Sequence, residues 1–223
     1  VEAVLGPSRR ERLDLSGYVL KKDSPSCGLE RVPVQRLLGT PPRRASGLFA
    51  RELTRTMPHL PVQEEGALRD PGRREHFLEQ VFAQARLRRL MQSGCSSLDD
   101  LVGFHGAHEV LLLSHSPRRT RELARLLDHA PPRRIEPLAE RYAEEFMATL
   151  RIRPTVAGHV NALRHAAGLL KGRLRADERR ELEKSLSDYR RHRVARGVPL
   201  ALLRGFLARA RNPYLRRQIY LRP

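Results

Sequence analysis

The chain changes pattern after Pro71, and no single regular architecture accommodates both sides of that change. Before it, short apolar pieces are broken every few residues by Pro, Gly and Ser. After it, apolar residues recur at helical spacing through long segments separated by PP, GR and GVP breaks. A length of 223 residues exceeds the common domain size. The expectation is therefore an α/β domain over residues 1–92 followed by an all-α helical domain over 97–223.

Within the first part, SGYVLKK reads as a brief strand ending in a Ser/Pro/Gly turn, and LERVPVQRLL as a second extended segment interrupted by Pro33. GTPPRRASG reads as a loop. GLFARELTRTM has helical spacing, with Leu48, Phe49, Leu53 and Met57 on one side and Pro58 as the stop. PHLPVQ supplies another short strand and EEGALRD a loop. The segment 72–92 is a helix with Phe77, Val81, Phe82, Ala85 and Leu90 on its apolar side. Beyond the GCSS break, Ser97 is placed to cap a helix whose first turn carries Asp99 and Asp100, where the positive end of the helix favours acid. Further helices are expected at about 118–129, 135–150, 155–171, 176–193 and 199–210.

Composition bounds the partners. A net charge of +18 rests on 43 Lys and Arg, most of them Arg, which stays charged when partly buried and forks onto carboxylate or phosphate. That balance fits RNA, DNA, a nucleotide or an acidic protein. It fits equally an ordinary solvated surface. Trp is absent and aromatic residues make up 5%, so an aromatic stacking platform for single strands is poorly supported. No uninterrupted apolar run approaches the roughly 20 residues that cross a bilayer, and the start lacks the pattern of a signal peptide. No membrane partner and a cytoplasmic location are expected. The chain opens VEAVLG without an initiator methionine, the mark expected of a processed or truncated product.

Two cysteines cannot build a disulfide framework or a four-cysteine metal site. In KKDSPSCGLE, Pro25 and Gly28 restrict and then free the backbone around Cys27. Lys21 and Lys22 would favour a thiolate if folded over it, and Ser24 and Ser26 add hydroxyls that can orient a substrate. Cys27 is open to three roles: cluster or metal ligand, nucleophile, or small residue in a turn. Cys95 has no neighbour at ligand spacing. The second part presents HGAHE, LLLSHS and HVNALRH, so that His105, His108 and His165 from different helix faces can meet around a metal, an anion or a polar core network. A metal site there needs at least three of His105, His108, Glu109, His115, His159 and His165 to converge. At the far end, Tyr214 and Gln218 stand at i and i+4 and can close a bundle through hydrogen bonds; the tyrosines there can alternatively face nucleic acid.

GYVLKKDSPSCGLERV, GLFARELTRTMPHLPVQEEG and LRDPGRREHFLEQVF, within residues 12–92, resemble the C-terminal half of the thiouracil desulfurase-like domain. LVGFHGAHEVLLLSHS, HVNALRH, ERRELEKSLSDYR, GVPLALL and YLRRQIYL, within 97–221, resemble the YbgA-type helical domain fused behind it. The resemblance implies a sulfur-handling desulfidase acting on a thiolated nucleobase or related small molecule. In that family three cysteines hold an oxygen-sensitive 4Fe–4S cluster whose open iron takes the sulfur as water or hydroxide replaces it. Cys27 matches the last of the three, and Ser16 aligns with a family serine. The other two cysteines and an acidic catalytic residue belong to the half that does not match. The cluster is therefore expected of the intact family protein and not of this chain alone, in which activity is not expected. The residues singled out are Ser16, Lys21, Ser24 and Ser26 for catalysis, Cys27 for the cluster, and His105, His108 and His165 for a metal. Glu109 stands where YbgA-type sequences carry lysine, which reverses a charge beside the paired histidines. The other readings are a non-enzymatic nucleic-acid or nucleotide-binding protein and a histidine-centred metal enzyme.

Overall fold

The structure, a computed structural model, describes residues 15–29, 32–34, 43–95, 97–129, 135–170, 172–210 and 212–222. The opening VEAVLG, the GTPP of the expected loop and both flanks of Val32–Val34 lie outside them. The chain divides into two compact units, Val1–Gly94 and Cys95–Pro223.

The first unit holds two small two-stranded sheets. Strand β1 (Tyr18–Leu20) pairs in parallel with β4 (Val62–Glu64), Tyr18 opposite Val62. Strand β2 (Val32–Val34) pairs antiparallel with β3 (Arg43–Ala45). Parallel neighbours need a crossover connection, and helix α1 (Leu48–Thr56) lies within it. Arg43–Ala45, expected as loop, is a strand because its backbone pairs with 32–34, although the sequence RRA carries no strand pattern. Glu65–Arg69, also expected as loop, winds into a 3₁₀ turn leading to Asp70, whose carboxylate accepts from Arg73 N at 2.7 Å and caps helix α2 (Pro71–Gln92). The buried side of α2 is Phe77, Ala83 and Leu87, whereas Phe82 is 57% exposed. Leu48 on α1 is likewise 62% exposed, whereas Ala50 and Leu53 are buried. Leu53 and Phe77 are buried as their spacing implies, while Ala50 and Ala83 take inner positions and Leu48 and Phe82 face outward.

The second unit is built around helix α3 (Leu98–His115). Ser97 opens it as a reciprocal cap: Asp100 N donates to Ser97 Oγ at 3.2 Å and Ser97 N to Asp100 Oδ2 at 3.1 Å. Val110, Leu111 and Leu112 are buried in succession, so α3 is covered on more than one side and reads as a central helix. Helices α4 (Pro117–Asp128), α5 (Ile135–Leu150) and α6 (Val156–Gly168) pack on it. Helices α7 (Ala176–Arg190) and α8 (Gly197–Ala210) pack on each other and on α6. Short α9 (Pro213–Arg217) and a 3₁₀ turn at Ile219–Leu221 return to α3. Burying each large side chain of this core, among them Tyr142, Phe146, Leu163 and Leu186, contributes about 1.5–3 kcal/mol. α6 approaches α3 closely because residue 158 is glycine: a Cβ there would collide with the Ser114 carbonyl oxygen. α7 ends at Arg190, earlier than its periodicity implies. His192 takes a left-handed conformation (φ 58°), and Arg193 N returns to Asp188 O at 2.9 Å in a Schellman-type close.

The C-terminal segment is locked to α3 by Gln218. Its amide donates to Gly106 O at 2.5 Å and accepts from Val110 N at 3.1 Å, spanning one step of the helix ladder while fully buried. A side-chain amide has the donor and acceptor geometry of a peptide group, which is what this position requires. Gln218→Ala should cost about 2–3 kcal/mol, read from the urea midpoint, since it removes both bonds and leaves a void. Gly158→Ala should destabilise by about 1–3 kcal/mol through the Ser114 collision. Wild-type midpoints in both variants would show that neither contact holds the helices together.

Candidate functional site

Cys27 sits in a turn that is braced rather than loose. Ser26 O accepts from Phe49 N at 2.9 Å and Ala50 N at 3.3 Å, so the turn's own carbonyl satisfies the first amides of α1. Gly47 N donates to Gly28 O at 2.8 Å, and a Cβ at Gly47 would strike the Ser26 carbonyl and Cys27 N. On the outer side, Ser24 Oγ lies 3.2 Å from Ser26 Oγ, which lies 3.4 Å from Cys27 Sγ. Cys27 N donates to Ser24 Oγ at 3.3 Å. The half-buried thiol thus ends a short chain of hydroxyls. Leu29 N donates to Glu64 Oε1 at 2.8 Å, tying the turn to β4. Lys21 and Lys22 are exposed, and Lys22 Nζ pairs with Asp23 at 3.6 Å. Ser16 is half-buried just before β1.

These residues do not fit an iron–sulfur cluster by themselves. Cys27 is one cysteine whose side-chain neighbours are hydroxyls, and Cys95 belongs to the other unit, its thiol pKa pushed up by burial and by Asp100. Among the described residues, no group of three His, Cys, Asp or Glu stands together as a metal site. A single thiolate would leave the other irons of such a cluster without protein ligands.

The histidines of the second unit are drawn into separate core contacts. His105 Nδ1 lies 3.2 Å from Tyr142 Oη, and burial lowers the His105 pKa while raising that of the tyrosine. His108 Nδ1 donates to Phe104 O at 2.8 Å with the ring stacked on Phe104. His115 Nδ1 donates to Ile152 O at 2.6 Å. His165 is exposed on α6 and does not join His105 and His108. Glu109 receives the Tyr214 hydroxyl, so the acidic residue there serves the C-terminal clasp.

Sequence reading did not single out the cluster around His159. His159 Nδ1 lies 2.6 Å from Tyr220 Oη, and Arg196 Nη1 lies 3.2 Å from His159 Nε2 with its guanidinium over the Tyr220 ring. Burial first, then the charge of Arg196 and nearby His115, hold His159 down to about 3. The three residues are 24 to 61 positions apart in sequence, which hides the cluster from any local motif.

The most concentrated chemistry at the surface is basic. The second unit carries 26 of the 43 Lys and Arg and 14 of the 25 Asp and Glu. On α4, Arg118, Arg121 and Arg125 recur at i, i+3 and i+7 and are all exposed, opposite buried Thr120, Leu123 and Leu127. Arg118 pairs with Glu122 at 3.3 Å; Arg121 and Arg125 pair with no acid among the described residues. The face is therefore a row of guanidinia held in register by a helix whose other side is core.

His159 predicts a pH dependence. Its pKa is near 6.5 when unfolded and about 3 when folded, so between those values the unfolded state binds the extra proton. The stability is present above 6.5 and is lost as pH falls toward 3, at ~1.4 kcal/mol per pH unit once below 6.5. Urea unfolding at pH 7, 5.5 and 4 should show wild type losing more stability than His159→Gln. Equal slopes for both proteins would refute the assignment.

Comparison with known proteins bears on the second unit. The chain is 24% identical over 144 residues to the Escherichia coli (strain K12) "Uncharacterized protein YbgA", covering 64% of this chain and 85% of that protein. No solved structure matches it. The sequence family described as "Protein of unknown function (DUF1722)" matches residues 110–223, from the middle of α3 through the C-terminal clasp, and the chain belongs to that family.

Proposed function

We propose that the helical unit binds nucleic acid through phosphate contacts, with the arginine row of α4 as the principal surface. One observation carries this reading: Arg118, Arg121 and Arg125 are aligned and exposed on one face, and two of them lack an acidic partner among the described residues. Guanidinium groups presented in a row neutralise successive phosphates and release counterions, and such contacts position a polyanion without reading its sequence. The low aromatic content agrees with backbone contact rather than base stacking. The concentration of basic charge in this unit adds electrostatic attraction at longer range. No helix among the described residues is long and apolar enough to cross a membrane, so the basic face has no spanning helix beside it.

A second reading places sulfur handling in the first unit, with a thiolated base or nucleotide as substrate and Cys27 contributing a thiolate. The braced turn favours it: Gly47 and the Ser26 carbonyl fix the backbone on which the half-buried sulfur is carried. The hydroxyls of Ser24 and Ser26 beside it can orient a polar substrate. Titration of the full chain with thiouracil should show binding that Cys27→Ala and Ser26→Ala weaken; wild-type affinity in both variants would dismiss it.

For the principal reading, fluorescence anisotropy with a labelled duplex at ~0.1 M salt should show the Arg118→Ala/Arg121→Ala/Arg125→Ala protein binding on the order of ten-fold more weakly than wild type, with the same ratio for unrelated sequences. These side chains are exposed, so the variant should keep its unfolding midpoint. Unchanged affinity in the folded triple variant would remove α4 from the interface.

A further inference from the structure

A second basic feature lies on a different part of the helical unit and has a different shape. A cavity of about 290 Å³ opens between the start of α7 and the later part of α8, lined by Arg173, Leu174, Arg175, Glu178, Phe206 and Arg209. Three guanidinia share it with one carboxylate.

The carboxylate is held by the fold. Glu178 is buried, and its Oε2 accepts from Arg175 N at 3.0 Å, closing the first turn of α7. Its Oε1 accepts from Arg209 Nη2 at 2.7 Å. These bonds, the one to Arg175 N first, keep Glu178 ionised below the usual carboxylate range. Glu178 therefore acts as an anchor that fixes one edge of the Arg209 guanidinium. Phe206 supports the same group from below, with Arg209 Cζ 5.5 Å from the ring centroid. Arg175 is fixed similarly on its other side, with Nε and Nη2 on the Asp177 carboxylate at 3.2 and 3.0 Å.

Each anchored guanidinium keeps donors in reserve. Among the described residues, Arg209 Nε and Nη1 and Arg175 Nη1 make no hydrogen bond. An arginine with one edge fixed and another edge free is pre-organised to fork onto a tetrahedral oxyanion. The cavity is at the small end of ligand pockets, which run from about 300 to 1,000 Å³, and its apolar surface is limited to Leu174 and Phe206. It has room for one phosphoryl group and a short apolar or ring attachment, with the remainder of the ligand outside.

We infer that the cavity between α7 and α8 is a binding site for a terminal phosphomonoester, gripped by Arg175 and Arg209. A phosphomonoester is favoured over a backbone diester because it presents more charge and three terminal oxygens to the guanidinia that line one cavity. With Asp177 at the rim included, the lining carries three guanidinia against two carboxylates and stays net positive. The same chemistry can come from a free nucleotide or from the 5′-phosphate end of a nucleic acid. The site stands on α7 and α8 and does not depend on the α4 row.

The test uses the full chain and calorimetric titration with inorganic phosphate, adenosine monophosphate and adenosine. Phosphate and the monophosphate should bind and compete with each other, and adenosine should not bind. Arg209→Gln should weaken the monophosphate at least ten-fold. Glu178→Gln should weaken it as well, because an amide oxygen kept on Arg175 N turns the amide NH2 toward Arg209 and releases the fixed edge of that guanidinium. Should Arg209→Gln unfold, Arg175→Gln at the rim carries the same expected loss. The α4 triple variant should bind the monophosphate as wild type does, so failure at this cavity is separable from failure of the nucleic-acid reading. A 5′-phosphorylated oligonucleotide binding more tightly than its 5′-hydroxyl form would assign the site to a nucleic-acid end, and equal binding of the two with retained monophosphate binding would assign it to a free nucleotide. Equal affinity for adenosine and its monophosphate, no binding of phosphate, or folded arginine variants with wild-type affinity would overturn the proposal.

Discussion

The arrangement of the helical unit depends on one buried amide. Gln218 hydrogen-bonds both Gly106 O and Val110 N, so a residue near the C-terminus completes the backbone pairing of the central helix. With that contact fixed, neighbouring residues are placed in turn. Tyr214 reaches Glu109, Tyr220 reaches His159, and Arg204 Nε donates to Leu221 O at 2.6 Å from α8. The segment from Asn212 onward therefore connects α3, α6 and α8. Its energetic importance follows from burial: polar groups removed from water cost far more when unpaired than they contribute when paired.

The same economy of buried polar groups explains what the histidines do. In His105, His108, His115 and His159, a ring nitrogen is occupied by a tyrosine hydroxyl or a backbone carbonyl within the core. Burial disfavours the charged imidazole at His105, and His159 is held furthest from protonation. The charged chemistry is displaced to the surface, where arginine dominates. Interhelical pairs such as Arg164–Glu183 at 2.8 Å and Arg119–Glu145 at 3.4 Å use only part of it, and exposed pairs of this kind contribute about 0–1 kcal/mol each. The excess contributes little to folding; on α4 the helix sets it in register, and at the α7–α8 cavity acidic partners hold it in place.

Features carried by neighbouring residues were legible in the sequence. Ser97 is a cap followed by acid in the first turn, the change of pattern after Pro71 marks the start of α2, and Tyr214 and Gln218 at i and i+4 point to a closing role. The short strands at Tyr18–Leu20 and Val62–Glu64 follow from their apolar runs and flanking breakers. What sequence could not supply was the identity of distant partners. Nothing near Gly158 names Ser114, nothing near Gly47 names Ser26, and the His159 cluster draws on α6, the 3₁₀ turn and the segment before α8. Helix faces failed where alanine competed with a large residue: Ala83 is buried while Phe82 faces outward, because close approach rather than hydrophobicity decides that contact. The convergence of His105, His108 and His165 failed for a related reason, since helical periodicity places a residue on a face without saying which neighbour covers it.

Whether the arginine surface holds phosphate is decided by the salt dependence of duplex binding by the full chain. Each phosphate neutralised contributes about 0.9 to the slope of log K against log salt, so three aligned arginines alone predict a slope of about −2.7, steeper with contributions from the remaining basic surface. A slope of that size or steeper, independent of sequence, is the expected result. Binding that is absent at low salt, or present with a slope near zero, would refute phosphate contact and leave the arginines of α4 as a solvated face.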